Sequence, residues 1–318
     1  MKVAVIDIGT NTVLLLVARI AGGGNIQPLL YEQRVPRLGR GVDSSGKLDP
    51  GAMERVIAVL KEYRDLIAPH APDATSVCGT SAVRDAANSE EFGRRIREET
   101  GFRLEVLGGG EEALWTYRGG VSGVPGPDRV TVPERFTVID VGGGSTEIIT
   151  GNRVEIETRI SLDIGSVRLT ERCLRHDPPT DGELEIAIEL TENEIARASR
   201  FPFAGSTLVG VAGTATSLAI LAQGLKTFDV ASVTNYRLTR ETVESLFRTL
   251  RVMPSSSIRE LSSAMEGRSD VITAGTLIVR EIMAHFKFDS MIVSERGVRY
   301  GIAIREAERL SGETPRST

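Results

Sequence analysis

Cysteine and tryptophan are almost absent from this chain of 318 residues, which has two cysteines and one tryptophan. Cys78 and Cys173 lie in different segments, without the spacing of a metal site. We therefore expect reduced, buried thiols rather than a disulfide or a zinc cluster. The sequence also lacks an apolar run of the ~20 residues that a membrane span requires, and it opens on a strand pattern instead of a signal peptide. We accordingly expect a cytoplasmic protein with no membrane partner.

An excess of positive charge is missing as well. The formal net charge is −5 at pH 7, which argues against a protein that coats nucleic acid. No stretch interleaves basic and aromatic residues as a single-strand binding surface does. The net charge does not exclude a polyanionic substrate, because a basic cleft can coexist with an acidic exterior. The hydrophobic content of 41% is that of a soluble globular protein, and the length predicts two domains.

Residues 136–150 contain the motif Asp140-Val-Gly-Gly-Gly-Ser-Thr-Glu147 between two apolar runs. The pattern predicts a strand, a tight glycine turn and a second strand. Backbone N–H groups in such a turn can bind an anion. The flanking carboxylates would repel a phosphate, so they indicate a bridging divalent cation. The alternative is a glycine-rich hairpin with solvated acids at its ends, and the motif by itself leaves both open.

Two further segments repeat this plan. Residues 3–17 show a strand, a short turn with the sequence Gly9-Thr-Asn-Thr12 and a second strand, which indicates a duplicated architecture. Residues 207–220 show a strand, a turn at Gly213 and Thr214, and then a helix whose first amides could bind an anion. The small residues of this third segment could equally serve close packing of helix on strand.

Two acidic residues and one arginine are candidates for catalysis. Glu111 and Glu112 follow a glycine turn at the start of a predicted helix, where they could complement the helix dipole or hold a water. Arg84 follows the predicted strand 74–78 and could bind a phosphate or form a surface salt bridge with Asp85 or Glu91.

Glycine, proline and polar residues elsewhere in the sequence predict where the other strands and helices begin and end. We expect a hairpin turn at 22–25, a linker at 121–134, a loop at 160–165 before a helix from Ser166, and a helix carrying Arg268 and Asp270 near its start.

Seven motifs in a fixed order resemble the exopolyphosphatase and guanosine pentaphosphate phosphatase family, in its short two-domain form. They are Asp7-Ile-Gly-Thr-Asn-Thr12, Gly79-Thr-Ser-Ala-Val-Arg84, Gly110-Glu-Glu-Ala113, Asp140-Val-Gly-Gly-Gly-Ser-Thr-Glu147, Gly213-Thr-Ala-Thr216, Gly267-Arg-Ser-Asp-Val-Ile272 and Ser294-Glu-Arg-Gly-Val-Arg299. The resemblance implies an α/β fold with two ribonuclease-H-like domains of the actin, sugar-kinase and heat-shock-ATPase type around a central cleft. It implies domains at 1–122 and 123–297, a C-terminal helix at about 298–310 that packs on the first domain, and a flexible tail at 311–318.

The resemblance also implies roles for individual residues. Glu112 would be the general base for an attacking water, with Glu111 as its rival, and Arg84 would bind the terminal phosphate. The implied ligands of Mg²⁺ are Asp7, Asp140 and Glu147, the last two also being catalytic and Asp7 facing them from the other domain. The implied phosphate-binding residues are Thr10, Asn11, Thr12, Gly142, Gly143, Gly144, Ser145, Gly213 and Thr214. Thr12 and Ala212 depart from the usual serine and glycine of the family.

The implied activity is Mg²⁺-dependent hydrolysis of the terminal phosphoanhydride bond of inorganic polyphosphate, which releases orthophosphate. Removal of the 5′ phosphate of guanosine pentaphosphate is the close alternative. An actin-fold ATP-binding kinase or nucleotide sensor is the remote one. We also expect a homodimer.

Overall fold

The computed structural model describes residues 1–21, 26–125, 134–153 and 155–312. The expected hairpin turn at 22–25, most of the expected linker and the tail beyond residue 312 lie outside the described residues. The chain divides into two compact units. The first consists of Met1–Gly119 and the segment from Val298 onward, and the second of Gly120–Gly297.

A five-stranded mixed sheet forms the centre of the first unit. Its strands are β1 Lys2–Ile8, β2 Val13–Ile20, β3 Ile26–Arg34, β4 Ala74–Gly79 and β5 Leu104–Val106. They lie in the order β3-β2-β1-β4-β5. The pairs β1–β2 and β2–β3 are antiparallel, whereas β1–β4 and β4–β5 are parallel.

A six-stranded sheet of corresponding topology forms the centre of the second unit. Its strands are β6 Arg135–Val141, β7 Thr146–Asn152, β8 Ile156–Leu162, β9 Thr207–Val211, β10 Arg237–Thr239 and β11 Ser290–Val293. The order β8-β7-β6-β9-β11 repeats that of the first sheet with the same strand directions, and β10 is added antiparallel at the edge. The predicted fold class, two ribonuclease-H-like α/β domains, is confirmed.

Helices connect and cover the strands. They are α1 Val42–Ser45, α2 Pro50–Ile67, α3 Ser81–Arg84, α4 Ser89–Thr100, α5 Gly109–Ser122, α6 Ser166–Cys173, α7 Asp181–Ala196, α8 Ala212–Gln223, α9 Val230–Val233, α10 Arg240–Leu250, α11 Ser255–Leu261, α12 Ile272–His285 and α13 Val298–Ser311. Capping residues fix several starts. Asp49 accepts a hydrogen bond from the N–H of Ala52 ahead of Pro50 at the first helical position, and Thr180 and Glu183 form a capping box.

The central strand β1 is apolar along nearly its whole length because both faces of its sheet are covered. Ala4, Ile6 and Ile8 pack in one cluster with residues of α2 and α4. Val3 and Val5 pack on the opposite face with Trp115 of α5 and residues of α13. Since side chains alternate along a strand, Asp7 lies on the second face, at the carboxyl end of β1.

Two local expectations were wrong. Residues 160–162 belong to strand β8, not to a loop, because the segment Ile156–Leu162 pairs with β7 over its length. Helix α12 begins at Ile272, so Arg268 and Asp270 precede it. In the described part of the chain, no helix is both long and apolar enough to cross a bilayer.

Candidate active site

Two turns of the same construction close the central hairpins of the two units. In the first turn, residues 9–12, the N–H of the opening glycine donates to the carbonyl of the closing threonine at 2.9 Å. In the second turn, residues 142–145, the N–H of the opening glycine donates to the carbonyl of the closing serine at 3.0 Å. Each turn follows the carboxyl end of a central strand, where α/β sheets bind their ligands.

Two carboxylates lie beside the second turn. Asp140 of β6 and Glu147 of β7 are direct cross-strand partners, so their side chains leave the same face of the sheet. Both are buried, and Glu147 accepts a hydrogen bond from the hydroxyl of Ser161 at 2.7 Å. The register therefore places two carboxylates together at one edge of the glycine turn.

This carboxylate pair fits Mg²⁺ in the form in which proteins usually bind it. Magnesium takes one or two carboxylates and completes its shell with water and substrate phosphate oxygens. Among the described residues, no group of three or more histidine, cysteine, aspartate or glutamate side chains could enclose a metal ion. Asp140 and Glu147 are thus two adjacent oxygen donors of the kind that Mg²⁺ prefers.

Strand β9 is followed directly by α8, so Gly213 and Thr214, which the sequence predicted as a turn, lie in the first turn of that helix. Residues 212–214 are called the third turn below. The hydroxyl of Thr214 donates to the carbonyl of Val141 at 2.6 Å, which ties the start of α8 to the end of β6. The guanidinium of Arg268 lies against Gly213, where an added Cβ would be 1.6 Å from Nη1. Ala212 adopts φ 60, a left-handed conformation that favours glycine. Glycine at position 213 thus lets the Arg268 guanidinium lie directly against the backbone, and a larger residue would displace it.

The side chains of the first turn lie close to α3. The hydroxyl of Thr10 forms a hydrogen bond with that of Ser81 at 3.0 Å, and both residues are buried. Asn11 and Thr12 complete the turn and are partly exposed. The three predicted phosphate-binding residues of the first unit are therefore consecutive in one short loop.

Arg84 and Glu112 form a close ion pair in the first unit. The guanidinium Nη1 of Arg84 donates to Oε2 of Glu112 at 2.7 Å and to the carbonyl of Leu107 at 2.9 Å. Arg84 closes the short helix α3 after β4, and Glu112 lies in the first turn of α5. The alternative prediction, a salt bridge of Arg84 with Asp85, is also met, but this pair is longer, with 3.9 Å between Nε of Arg84 and Oδ1 of Asp85.

Burial distinguishes the two neighbouring glutamates. Glu112 is 7% exposed, and burial raises its pKa above the ordinary 4.5, although the hydrogen bond and charge of Arg84 oppose the rise. The Glu111 side chain is 44% exposed and lies 3.5 Å from Arg305. The buried, arginine-bound carboxylate is therefore Glu112.

Asp7 is a buried carboxylate on the face of the first sheet that α5 and α13 cover. Its Oδ1 has no hydrogen-bond partner among the residues that the structure describes. Burial, together with the charge of Glu112, raises the pKa of Asp7 to about 7, while the charge of Arg299 opposes this rise. The first unit thus holds two buried acids, of which Glu112 acts electrostatically on Asp7.

Sequence reasoning gave no role to two arginines that the structure places near predicted site residues. Arg268 contacts the third turn, and Arg299 acts on Asp7 while its guanidinium lies 4.4 Å from the ring centroid of Tyr31. Both occur in the motifs that carry the family resemblance, so the signal was present. The chain separation between each arginine and its neighbours hid the contact.

Comparisons with known proteins identify a family for this sequence and solved structures with the same fold. The sequence profile of the Ppx/GppA phosphatase family matches residues 16–310. Exopolyphosphatase 2 of Mycobacterium tuberculosis is 35% identical over 317 residues, which cover 95% of this chain and 98% of that protein. A crystal structure described as an exopolyphosphatase-like protein is 34% identical with a TM-score of 0.90, covering 98% of this chain and 100% of its own. The Ppx/GppA family member of Aquifex aeolicus is 33% identical with a TM-score of 0.81, covering 98% of both chains.

Proposed function

Because this chain belongs to the Ppx/GppA phosphatase family, we propose that it is an exopolyphosphatase, which hydrolyses the terminal phosphoanhydride bond of inorganic polyphosphate and releases orthophosphate. The observation that carries the proposal is the buried Glu112, held by Arg84 at 2.7 Å. Hydrolysis of this bond needs an oriented water, a base and neutralisation of phosphate charge rather than a covalent intermediate.

In this proposal Glu112 is the general base. A carboxylate whose pKa is raised by burial accepts a proton more readily near neutral pH than an exposed one does. The water oxygen bonds to the terminal phosphorus and the bridging P–O bond breaks. The shortened chain leaves with the electron pair, and the water proton passes to Glu112. Arg84 orients the carboxylate and contributes positive charge.

The turns supply the phosphate-binding groups in this proposal. Backbone amides of the second turn, except that of Gly142, which closes the turn on Ser145, and the amide of Gly213 donate to phosphate oxygens. The residues of the first turn, Thr10, Asn11 and Thr12, do the same. Asp140 and Glu147 would hold Mg²⁺, and Asp7 is the proposed carboxylate of the first unit for it. When bound, the ion neutralises phosphate charge.

We expect more rapid release of orthophosphate from inorganic polyphosphate than from guanosine pentaphosphate when kcat/KM is measured for both with the same preparation. A higher kcat/KM on guanosine pentaphosphate would make the chain a pentaphosphate phosphatase. Release from neither would reject a hydrolase and leave the kinase or nucleotide-sensor alternative, which ATP-binding calorimetry tests.

Replacing Arg84 with methionine is expected to shift the acidic limb of the kcat/KM profile to higher pH. Arg84 stabilises the charged form of Glu112, so its loss raises the pKa of the base further, and less of the base is ionised at a given pH. The matched control is Arg94→Met, which removes only an exposed ion pair with Glu98. An acidic limb at the wild-type pH in Arg84→Met would contradict the assignment of Glu112.

A homodimer and a cytoplasmic location also belong to the proposal. Light scattering coupled to size-exclusion chromatography would test the first, and fractionation of the source cells the second.

A further inference from the structure

The carbonyl groups of the second turn point at the start of α6. The carbonyl of Gly142 accepts the N–H of Ser166 at 2.8 Å and its hydroxyl at 3.1 Å. The carbonyl of Gly143 accepts the N–H groups of Val167 at 2.9 Å and Arg168 at 3.0 Å. Two consecutive carbonyls are therefore occupied by one neighbouring segment.

These contacts determine where the amides of the turn point. In a planar trans peptide, the carbonyl of one residue and the N–H of the next point in opposite directions. The N–H groups of Gly143 and Gly144 therefore point away from α6. Within the described residues, neither N–H donates to a protein acceptor. The contacts thus leave two adjacent donors, the arrangement that binds an anion.

Close packing holds the segment before α6 against the turn. A Cβ added at Gly165 would lie 2.5 Å from the carbonyl carbon and oxygen of Gly143 and 2.7 Å from the carbonyl carbon of Gly144. The backbone of Gly165 is extended, with φ −153, so space and not conformation requires glycine there. The hydroxyl of Thr146 also donates to the carbonyl of Ile164 at 2.6 Å.

The first unit has a related arrangement, in which the second and third carbonyls of the turn are held instead of the first and second. The N–H of Gly39 donates to the carbonyl of Thr10 at 2.8 Å, and the N–H of Arg37 donates to that of Asn11 at 3.1 Å. A Cβ added at Gly39 would lie 2.3 Å from the Cγ2 of Thr10. In both units the donors come from the segment that follows the third strand, β3 or β8. The repetition indicates a property of the duplicated fold.

We propose that the segment after the third strand of each sheet orients the neighbouring turn for phosphate, and that Gly165 and Ser166 are positioning residues for phosphate binding by the second turn. Because three of the four residues of the turn are glycines, side chains place little restriction on the rotation of its peptides. A rotated peptide presents a carbonyl oxygen to the phosphate instead of an N–H. The inference rests on the proposed function, since it names how the same site takes its anion.

The variant Ser166→Pro tests the inference. Proline has a backbone angle that suits the first position of a helix, and the extended Gly165 suits the residue before it, so α6 can still form. The change removes the N–H that donates to Gly142 and puts the proline ring in its place, which displaces the Gly142 carbonyl. We expect KM for polyphosphate to rise about tenfold or more, and kcat to change less than about threefold. Ser166→Ala keeps the N–H and is expected to raise KM less than about threefold.

A matched control is Asp181→Pro, which places proline at the first position of α7, where it follows the extended Thr180. Its KM should equal that of the wild type. A folded Ser166→Pro with wild-type KM would overturn the inference. If Ser166→Pro does not fold, Thr146→Val decides. It removes one hydrogen bond, and an unchanged KM in that variant would overturn the inference as well.

Binding of inorganic pyrophosphate, measured by calorimetry with no turnover, separates this inference from the proposed function. If the wild type binds pyrophosphate but does not hydrolyse polyphosphate, the proposed function fails. The inference then stands if Ser166→Pro, or Thr146→Val in its place, binds pyrophosphate more weakly than Ser166→Ala does. It is overturned if the affinities are equal, or if the wild type binds no pyrophosphate.

Discussion

Replacing Glu112 with glutamine is expected to lower kcat by about 10²–10⁴-fold while KM changes little, because general-base catalysis contributes a factor of that size. The amide has the shape of the carboxylate and can still accept the hydrogen bond from Arg84, so the site keeps its geometry. What it loses is the capacity to take a proton from water. Steady-state kinetics of orthophosphate release would measure the effect, and circular dichroism would show that the variant is folded.

The matched control is the neighbouring substitution Glu111→Gln. Glu111 is half exposed and lies 3.5 Å from Arg305, so its loss should leave kcat within about threefold of the wild type, as for most exposed ion pairs. If Glu111→Gln caused the large loss and Glu112→Gln the small one, the base would be reassigned to Glu111. Equal losses in both variants would contradict a single general base.

The strands and turns at the centre of each unit could be predicted from sequence because their signals are local. The apolar runs before Asp7 and Asp140 and the glycine-containing turns after them lie within about a dozen residues. The structure gives both turns the same closing hydrogen bond. The two turns could be predicted because their conformation depends on residues that are close together in the sequence.

Strand β8 was missed for the opposite reason. Its exposed Glu157 and Arg159 alternate with half-buried isoleucine and threonine, so the pattern is weaker than that of a central strand. The stabilising hydrogen bonds come from β7, and the following Asp163 and Gly165 favour a loop. Edge strands of this kind depend on a partner that the local sequence does not specify.

The candidate site was predicted as a set of residues, but not as an arrangement. Glu111 and Glu112 are adjacent in sequence, and only the rotation of α5 buries one and exposes the other. Their arginine partners come from α3 and α13, which are far apart in the chain. The approach of Arg268 to Gly213 and of Gly165 to Gly143 likewise depends on tertiary packing. The sequence motifs therefore predicted which residues belong to the site, whereas the contacts between them depend on the tertiary fold.

Replacing Asp7 with asparagine is expected to abolish most activity and yet stabilise the metal-free protein at neutral and alkaline pH. The pKa of Asp7 is about 7 in the folded chain and 3.8 in the unfolded one, so the folded state binds more protons between these values. The free energy of unfolding therefore falls as pH rises from about 4 to 7, by at most about 4 kcal/mol. Asparagine has no charge to bury, and the variant escapes this loss.

The stability gain of Asp7→Asn should therefore depend on pH in one direction only. Urea unfolding in the presence of a chelator should give equal stabilities for variant and wild type near pH 4, and a more stable variant at pH 8. The exposed Asp65, replaced by asparagine, should show no such divergence. A difference that is constant with pH would mean that Asp7 does not titrate in this window. If it does, the aspartate is retained at a cost in stability, as expected for a carboxylate that serves the reaction.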